Sequence, residues 1–529
     1  MSSIVKKNPN FNLLAILQTP YFKAGFFLVL LIVLLALDFL TRHSEWDQAV
    51  AYQRALRMLR GEVPFKDFFL LYLPLSVYLN SLVLHAHTSF LTIKIVGLVV
   101  CSYIMVTAYF TTKYLTKSIT AGLVTALLTY FFALKAWPES NYSWYSVAAI
   151  ITMLFIIISD YDITTNQFKF DSKRWLSAGV FLGISFCIKH NFAILILLAT
   201  LIFLAANLLI LKGNKRNQVV QTLVGLVLGL LRPILLMIIY LTFNQALTAA
   251  YKDIVLGAGY YVEFMTFPYL NILSFEPLLV TQPLLKSILG CLEFIVTIPI
   301  VLAAPLVGSA LIIYSLLNPK TPPRQLFLFF GLICNASFSF LFPRSDYPHL
   351  AFALPILLIG TVVSFTIICD SYQWKNIVFK FIGIYLVSVS LLISIVKTTD
   401  IYNDNLKYIP ISASFVSPEV AQQIQLTLDS LNQTQASGKQ PIILDPSLSL
   451  YYPFLNISNP TRYDFPTKGN FGINNGNDII AYLKSHDNIC LYASKYNTEQ
   501  EFYPSEILQA IQPIYQLNKS IGSWDIYCR

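Results

Sequence analysis

Apolar runs too long and too numerous for a soluble core decide what this chain can fold into. Ala24 to Leu40, Val219 to Phe243 and Ile377 to Val396 each approach or reach the roughly 20 residues that a helix needs to cross about 30 Å of hydrocarbon. Unpaired backbone N–H and C=O groups are prohibitively costly in lipid, so such runs must be helices. Composition agrees: of 529 residues, 56% are hydrophobic and 12% charged, with mean hydropathy +0.62. That is more apolar surface than one soluble core buries. The sequence predicts an α-helical polytopic membrane protein with about eleven spans by hydropathy. They fall at 24–42, 89–112, 119–136, 145–159, 176–189, 190–211, 219–243, 286–316, 324–342, 350–369 and 377–397. The first run lies behind a polar stretch and has no A-x-A-like site after it, so a retained span is expected rather than a signal peptide.

Lys and Arg in short loops set the orientation. Lys6, Lys7 and Lys23, then Lys113 and Lys117, then Lys169, Lys173 and Arg174, then Lys212, Lys215 and Arg216, then Lys320 and Arg324, then Lys375 all land on one side. That side is expected to be cytoplasmic, in a multi-pass protein of the plasma membrane. The loops account for the net charge of +9, so nucleic acid is rejected as a partner. The other side receives the Thr41 to Ser89 loop, Trp137 to Trp144, the Lys189-His190 corner, Asn244 to Leu285, Pro343 to His349 and everything after Thr398. These segments carry most of the Asp, Glu, His, Tyr, Trp and Pro outside the spans.

Two domains are expected: a transmembrane unit over 1–397, with an exported first loop at 43–88, and an exported soluble α/β domain over 398–529. The second is about 130 residues, a normal domain size. Ser417-Pro418-Glu419 is a helix start, with an N-cap Ser and Pro at N1, leading through Val420 to Leu431. Pro441 to Leu444, Ile489 to Tyr492 and Trp524 to Tyr527 read as strands, and Asp478 to Lys484 as a helix. Cys490 and Cys528 stand on or beside two of these strands, which leaves a disulfide open in an oxidising compartment. The seven cysteines contain no CxxC pair and no His/Cys cluster at metal spacing, so no zinc or redox site is assigned.

The first exported loop has helical spacing from Ala49 to Arg60, with Ala51, Ala55, Met58 and Leu59 on one face, Arg54 and Arg57 on another, and Gly61 as its C-cap. Asp47 sits in the first turn, three residues after Ser44. A capping role is open there, since a carboxylate suits the positive end of a helix. Elsewhere, Lys189 and His190 lie at the outer edge of two apposed spans. An unpaired cation there is a functional candidate by default, with snorkelling to the interface as the other reading. Arg344, Asp346, Tyr347 and His349 form a second cluster, open to a plain Arg344 to Asp346 salt bridge at a helix end. Tyr260, Tyr261 and Phe264 are open to lining a lipid groove or stacking on a sugar, with an interfacial aromatic belt as the favoured reading. Arg232-Pro233 inside a span has no sequence account.

An Asp just after the first span, a short amphipathic helix, Gly61-x-x-Pro64-Phe65-x-Asp67-Phe68, then Leu73-Pro74-Leu75 and Tyr78 together resemble the first external loop of GT-C fold glycosyltransferases. Within that fold the chain resembles the branch of protein O-mannosyltransferases and the bacterial aminoarabinose transferase. The resemblance implies transfer of a sugar from a polyprenyl phosphate carrier to a glycan, lipid or protein hydroxyl on the non-cytoplasmic face, with inversion. It makes Asp47 the expected general base. Relatives often begin this region with an Asp-Glu pair, where this chain has Glu45-Trp46-Asp47, so the choice of carboxylate stays open. It also implies Asp67 as a second acidic group, against a turn residue after Pro64, and Glu139 as a third. A divalent cation bridging Asp47 and Glu139 is conceivable, but two carboxylates alone make a poor cage, so no metal or other cofactor is assigned. Arg344 and His349 would hold the departing phosphate with Asp346 orienting one of them, and Lys189 is a further cation expected there beside His190, because that charge must meet cations or N–H donors.

The main alternative is a transporter or flippase of a lipid-linked or polar substrate. It would show internal repeats and charges near mid-span, and only Arg232 is of that kind. A scaffold whose exported module binds a partner leaves the clustered ionisable residues without a role.

Overall fold

The computed structural model describes residues 19–43, 46–269, 272, 284–318, 323–369, 374–402, 406–495 and 503–529. Lys6, Lys7, Ser44, Glu45, Lys320 and the side chain of Lys375 fall outside the described residues. The molecule is a helical membrane bundle carrying a small mixed sheet at its C-terminal end.

In chain order the helices are α1 Pro20–Thr41, α2 Asp47–Leu59, α3 Leu75–Ala86, α4 Phe90–Thr116, α5 Ile119–Leu128 with a π-helical continuation Thr129–Leu134, and α6 Tyr142–Ile158. After the hairpin β1 Tyr161–Asp162 and β2 Gln167–Phe168 come α7 Ser172–Phe186, α8 His190–Ile210, α9 Asn214–Phe243, α10 Leu247–Tyr251 and α11 Ala258–Met265. The bundle closes with α12 Leu284–Leu317, α13 Arg324–Ser337, α14 Tyr347–Ile368 and α15 Trp374–Tyr402. Every expected span coincides with one of these helices. Eight carry a stretch long and apolar enough to cross a bilayer, whereas Ile119–Leu134, Tyr142–Ile158 and Ser172–Phe186 are shorter. Helix α15 runs past the expected boundary at 397.

Close backbone approach locks α7 to α9. Gly179 and Gly183 lie against the Leu226 and Leu230 carbonyls, Gly225 and Gly229 against those of Ser172 and Leu176, and a Cβ at any of the four would collide with that backbone. Without a hydrophobic drive between helices in lipid, contacts of this kind hold them together. Pro233 packs against Gly183 beside this seam, and Arg232 stays exposed on α9.

The two ends of the bundle differ as the loop charges predict. At one end Lys113 lies 4.6 Å over the Tyr21 ring, Tyr114 donates to the Tyr161 carbonyl, Lys215 to Gln167, and Phe168 N–H to Gln325. At the other end Arg42, Glu139 and Arg344 meet the first loop and the C-terminal module.

In that module β3 Lys407–Ile409 pairs antiparallel with β4 Ser414–Val416, followed by α16 Pro418–Ala436. Then come β5 Gln440–Ile443, α17 Leu448–Phe454, α18 Asn477–Ser485, β6 Ile489–Ser494, α19 Ser505–Ile511, β7 Gln516–Ile521 and β8 Trp524–Cys528. The sheet order is β5-β6-β8-β7, with β5 and β6 parallel and the other pairs antiparallel. Ser417 caps α16 by accepting from Val420 N–H. Cys490 and Cys528 stand directly opposite each other on β6 and β8 and form a disulfide.

The module clamps onto the first loop. Arg57 is buried and donates to Glu62 (2.6 Å), to Asp464 (3.1 Å) and to the carbonyls of Thr461 and Asp67. Arg462 pairs with Asp253 at 2.7 Å, and Phe69 N–H donates to the Arg462 carbonyl. Lys94, buried at the top of α4, donates to the carbonyls of Phe39 and Arg42 and to Ser414.

Candidate active site

The clamp encloses a cavity of about 440 Å³. Its walls come from separate parts of the chain: Arg42 and His43 after α1, one face of α2, the Leu70 to Asn80 stretch, the 137–143 loop, Tyr261 and Met265 of α11, the 344–352 segment, and Phe465 and Asn470 of the module.

Helix α2 supplies Asp47, Val50, Ala51 and Arg54 to this wall. These positions recur at the helical period, so one stripe of α2 carries an acid and a base about two turns apart. Gly61, with φ of +88°, ends the helix as expected, and its N–H donates to the Met58 carbonyl. The N-cap residue Trp46 makes no side-chain cap bond. Asp47 accepts instead from the Asn141 side-chain amide at 2.9 Å. Asn141 is itself fixed as the N-cap of α6, where its oxygen accepts from Ser143 N–H at 2.8 Å, so its NH₂ is turned to Asp47. Burial, then the charge of Glu139, raises the Asp47 carboxyl to about 6, against the pull of Arg344 and His349. A carboxylate so placed takes up a proton near neutral pH more readily than an ordinary one.

Glu139 lines the same cavity, buried, and pairs with Arg42 at 2.9 Å. Arg42 also lies 4.5 Å over the Trp137 ring. Across the cavity Asp346 caps α14 by accepting from His349 N–H (3.1 Å), and it also accepts from His349 Nδ1 and Arg344 Nε. Burial pushes the Asp346 carboxyl up, but the His349 hydrogen bonds and the charges of His349 and Arg344 hold it at about 2. An ionised Asp346 only accepts, which puts the proton on His349 Nδ1 and leaves Nε2 as the ring's other polar atom.

The remaining expected residues stand elsewhere. Asp67 closes the turn after Pro64, its carboxylate accepting from Val63 N–H at 2.6 Å, and it is not part of the cavity wall. Lys189 is buried behind that wall, 3.2 Å from Ser143 Oγ and 4.3 Å from the centre of the Phe340 ring. His190 packs against Tyr72 and Phe186, and Tyr347 donates to the Phe132 carbonyl. Tyr261, expected in an aromatic belt, lines the cavity, and burial pushes its phenol up. Glu45 lies outside the described residues.

Sequence reasoning missed Arg42, Arg54, Asn141, Phe465 and Asn470. The spacing of seven from Asp47 was the available signal for Arg54, and the helix start after it was that for Asn141. Nothing in the sequence pointed from residue 465 to residue 47. Among the described residues no three His, Cys, Asp or Glu side chains gather to hold a metal ion. Asp47 and Glu139 are engaged by Asn141 and Arg42, so a bridging cation finds no ready cage in them.

No family model and no curated protein matches the sequence. Solved structures do match. The chain aligns over 96% of its length and 98% of the other with ArnT from Cupriavidus metallidurans bound to undecaprenyl phosphate, at TM-score 0.57 and 10% identity. Over 95% of its length and 73% of the other it aligns with the Archaeoglobus fulgidus oligosaccharyltransferase in complex with Zn and sulfate, at TM-score 0.53 and 12% identity. Both are GT-C membrane glycosyltransferases, and at these identities the likeness establishes the fold. The chain has the GT-C fold.

Proposed function

We propose that the protein is a glycosyltransferase that moves a sugar from a polyprenyl phosphate carrier to an acceptor hydroxyl. One observation carries this reading. The polar cavity holding Asp47 meets an apolar groove of about 560 Å³ between α9 and the Leu247 to Val255 stretch, and Leu73 lines both. A ligand with a charged, hydroxylated head and a long hydrocarbon tail has both environments within reach. The structural relative crystallised with undecaprenyl phosphate is such a case.

In this reading the acceptor oxygen bonds to the anomeric carbon as the carbon–oxygen bond to phosphate breaks, with inversion. Asp47 takes the hydroxyl proton, and Asn141 holds its carboxylate in line. The phosphate leaves with its electron pair toward Arg344, whose guanidinium Asp346 orients. Glu139, held by Arg42, raises the proton affinity of Asp47. No step runs through a cation.

Residues 1–397 would form the transferase unit and 398–529 an exported module, with the amino terminus cytoplasmic. Labelling from outside should reach a cysteine at the exposed position of Asp429 and not one at Asn214; the opposite pattern overturns the sidedness. The reaction itself is tested by incubating purified protein with labelled polyprenyl phosphate sugars and membrane extract. Label should leave the carrier for a glycan, lipid or protein. Movement of intact carrier across a vesicle bilayer, without transfer, would favour a flippase.

A further inference from the structure

Asp47 and Arg54 project from the same stripe of α2 into the cavity, about 10 Å apart along the axis at 1.5 Å per residue. Their surroundings differ. Asp47 is bonded to Asn141. Arg54 makes no hydrogen bond or ion pair among the described residues, and its Nε is sealed from solvent without a partner. The nearby Asp464 attracts it, but Arg57 and Asn459 both bond to Oδ1 of that carboxylate, and its Oδ2 is buried without a hydrogen bond to Arg54 or to any other described residue. The Nη groups of Arg54 are not sealed in this way and border the cavity, where a guanidinium that stays charged presents N–H donors to an anion.

The cavity has two cationic poles. The charges acting most on Asp47 are Glu139, Arg344, His349 and Asp346, whereas those acting on Arg54 are Asp464, Tyr142, Arg57 and Asp47. Arg344 pulls on Asp47, whereas Arg54 stands beside Asp464 of the module and feels Asp47 more weakly. In an inverting displacement the acceptor approaches from the side opposite the leaving group, with the base beside it. If Arg344 takes the leaving phosphate, Arg54 stands on the acceptor side.

We propose that Arg54 receives an anionic group, a phosphate or carboxylate, borne by the acceptor. The assignment rests on the transferase reading above and narrows its acceptor to an acidic glycan, lipid or peptide. The anion serves as a recognition handle, while the attacking atom remains a separate hydroxyl next to Asp47.

The full chain in lipid nanodiscs tests this with two probes. Undecaprenyl phosphate reports the carrier pole. Labelled inorganic phosphate, measured by equilibrium dialysis with undecaprenyl phosphate saturating, reports the second pole. Arg54→Gln should weaken inorganic phosphate about tenfold or more, as expected for loss of a charged hydrogen bond, and leave undecaprenyl phosphate within about twofold. Arg344→Gln should do the reverse, and Arg54→Lys should retain phosphate better than Arg54→Gln. Loss of undecaprenyl phosphate in Arg54→Gln would assign Arg54 to the carrier and end the proposal. So would phosphate binding that is absent from the native chain or equal in native and Arg54→Gln protein of unchanged melting temperature. Failure of undecaprenyl phosphate to bind the native chain at all would instead sink the transferase reading.

Discussion

Helix α2 carries two arginines three residues apart that live in opposite circumstances. Arg57 sits in the clamp, its charge met by Glu62 and Asp464 and its remaining donors by backbone carbonyls. Arg54 faces the cavity with its Nε unpartnered. Buried charges that are fully paired hold parts of a protein in register, and breaking one side of such a pair is strongly destabilising. Charges kept without partners in a cleft are more often there for a ligand. The contrast separates residues that hold the module on the first loop from residues available for chemistry.

The largest effect should come from Asp47→Asn. The substitution keeps the side chain's volume and removes the base, so turnover should fall by about two to four orders of magnitude with melting and undecaprenyl phosphate binding little changed. If the transferase reading holds, kcat/KM of the native protein should fall about tenfold per pH unit below about 6, because only the ionised carboxylate accepts the proton, and level off above it. An active Asn variant would move the base to Glu45 or Glu139 and blur the contrast.

Arg57→Ala should act on the other side of the comparison. It leaves Asp464 buried without the cation that bonds to it, at a cost of about 3 to 5 kcal/mol, read as a large fall in melting temperature. Transfer per folded molecule should stay within a few fold of native. Lost turnover at unchanged melting would put Arg57 in the chemistry and break the distinction.

Arg344→Gln should weaken the use of donor by about 1.5 to 3 kcal/mol, the worth of a charged hydrogen bond. Measured affinity for undecaprenyl phosphate checks it, and an unchanged value in folded protein would leave the phosphate to another cation. Smallest of all, Asp67→Ala should cost about 1 kcal/mol of stability through the lost bond to Val63 N–H and leave transfer near normal. A drop in turnover of a hundredfold or more would return Asp67 to the active site despite its place in the turn.

Much of the fold is legible in the residue order because the governing rules are local. Hydropathy over some 20 residues marks the helices of the bundle, Ser417-Pro418 marks the start of α16, and Gly61 marks the end of α2. The GxxxG spacing at Gly179 to Gly183 and at Gly225 to Gly229 is present in the sequence as well, and names the seam between α7 and α9 once each helix has a partner. Residue type alone does not distinguish positions whose surroundings depend on neighbours far along the chain. Lys189 and Arg344 are both cations at the outer ends of spans, yet one is buried behind Ser143 and Phe340 while the other borders the cavity.

The sequence by itself determined that the chain lives in a bilayer, which segments are helical, and that two kinds of loop alternate along it. Transfer free energy and backbone hydrogen bonding act residue by residue over a short window, so a linear reading captures them. Which charges cancel was decided only by tertiary structure. Arg57 meets Asp464 across 407 positions of chain, Arg42 meets Glu139 across 97, and Asn141 meets Asp47 across 94. A Coulomb interaction depends on separation in space and on exclusion of water, neither of which the order of residues specifies. The same closure that neutralised Arg57 left Asp47 and Arg54 facing one enclosed space.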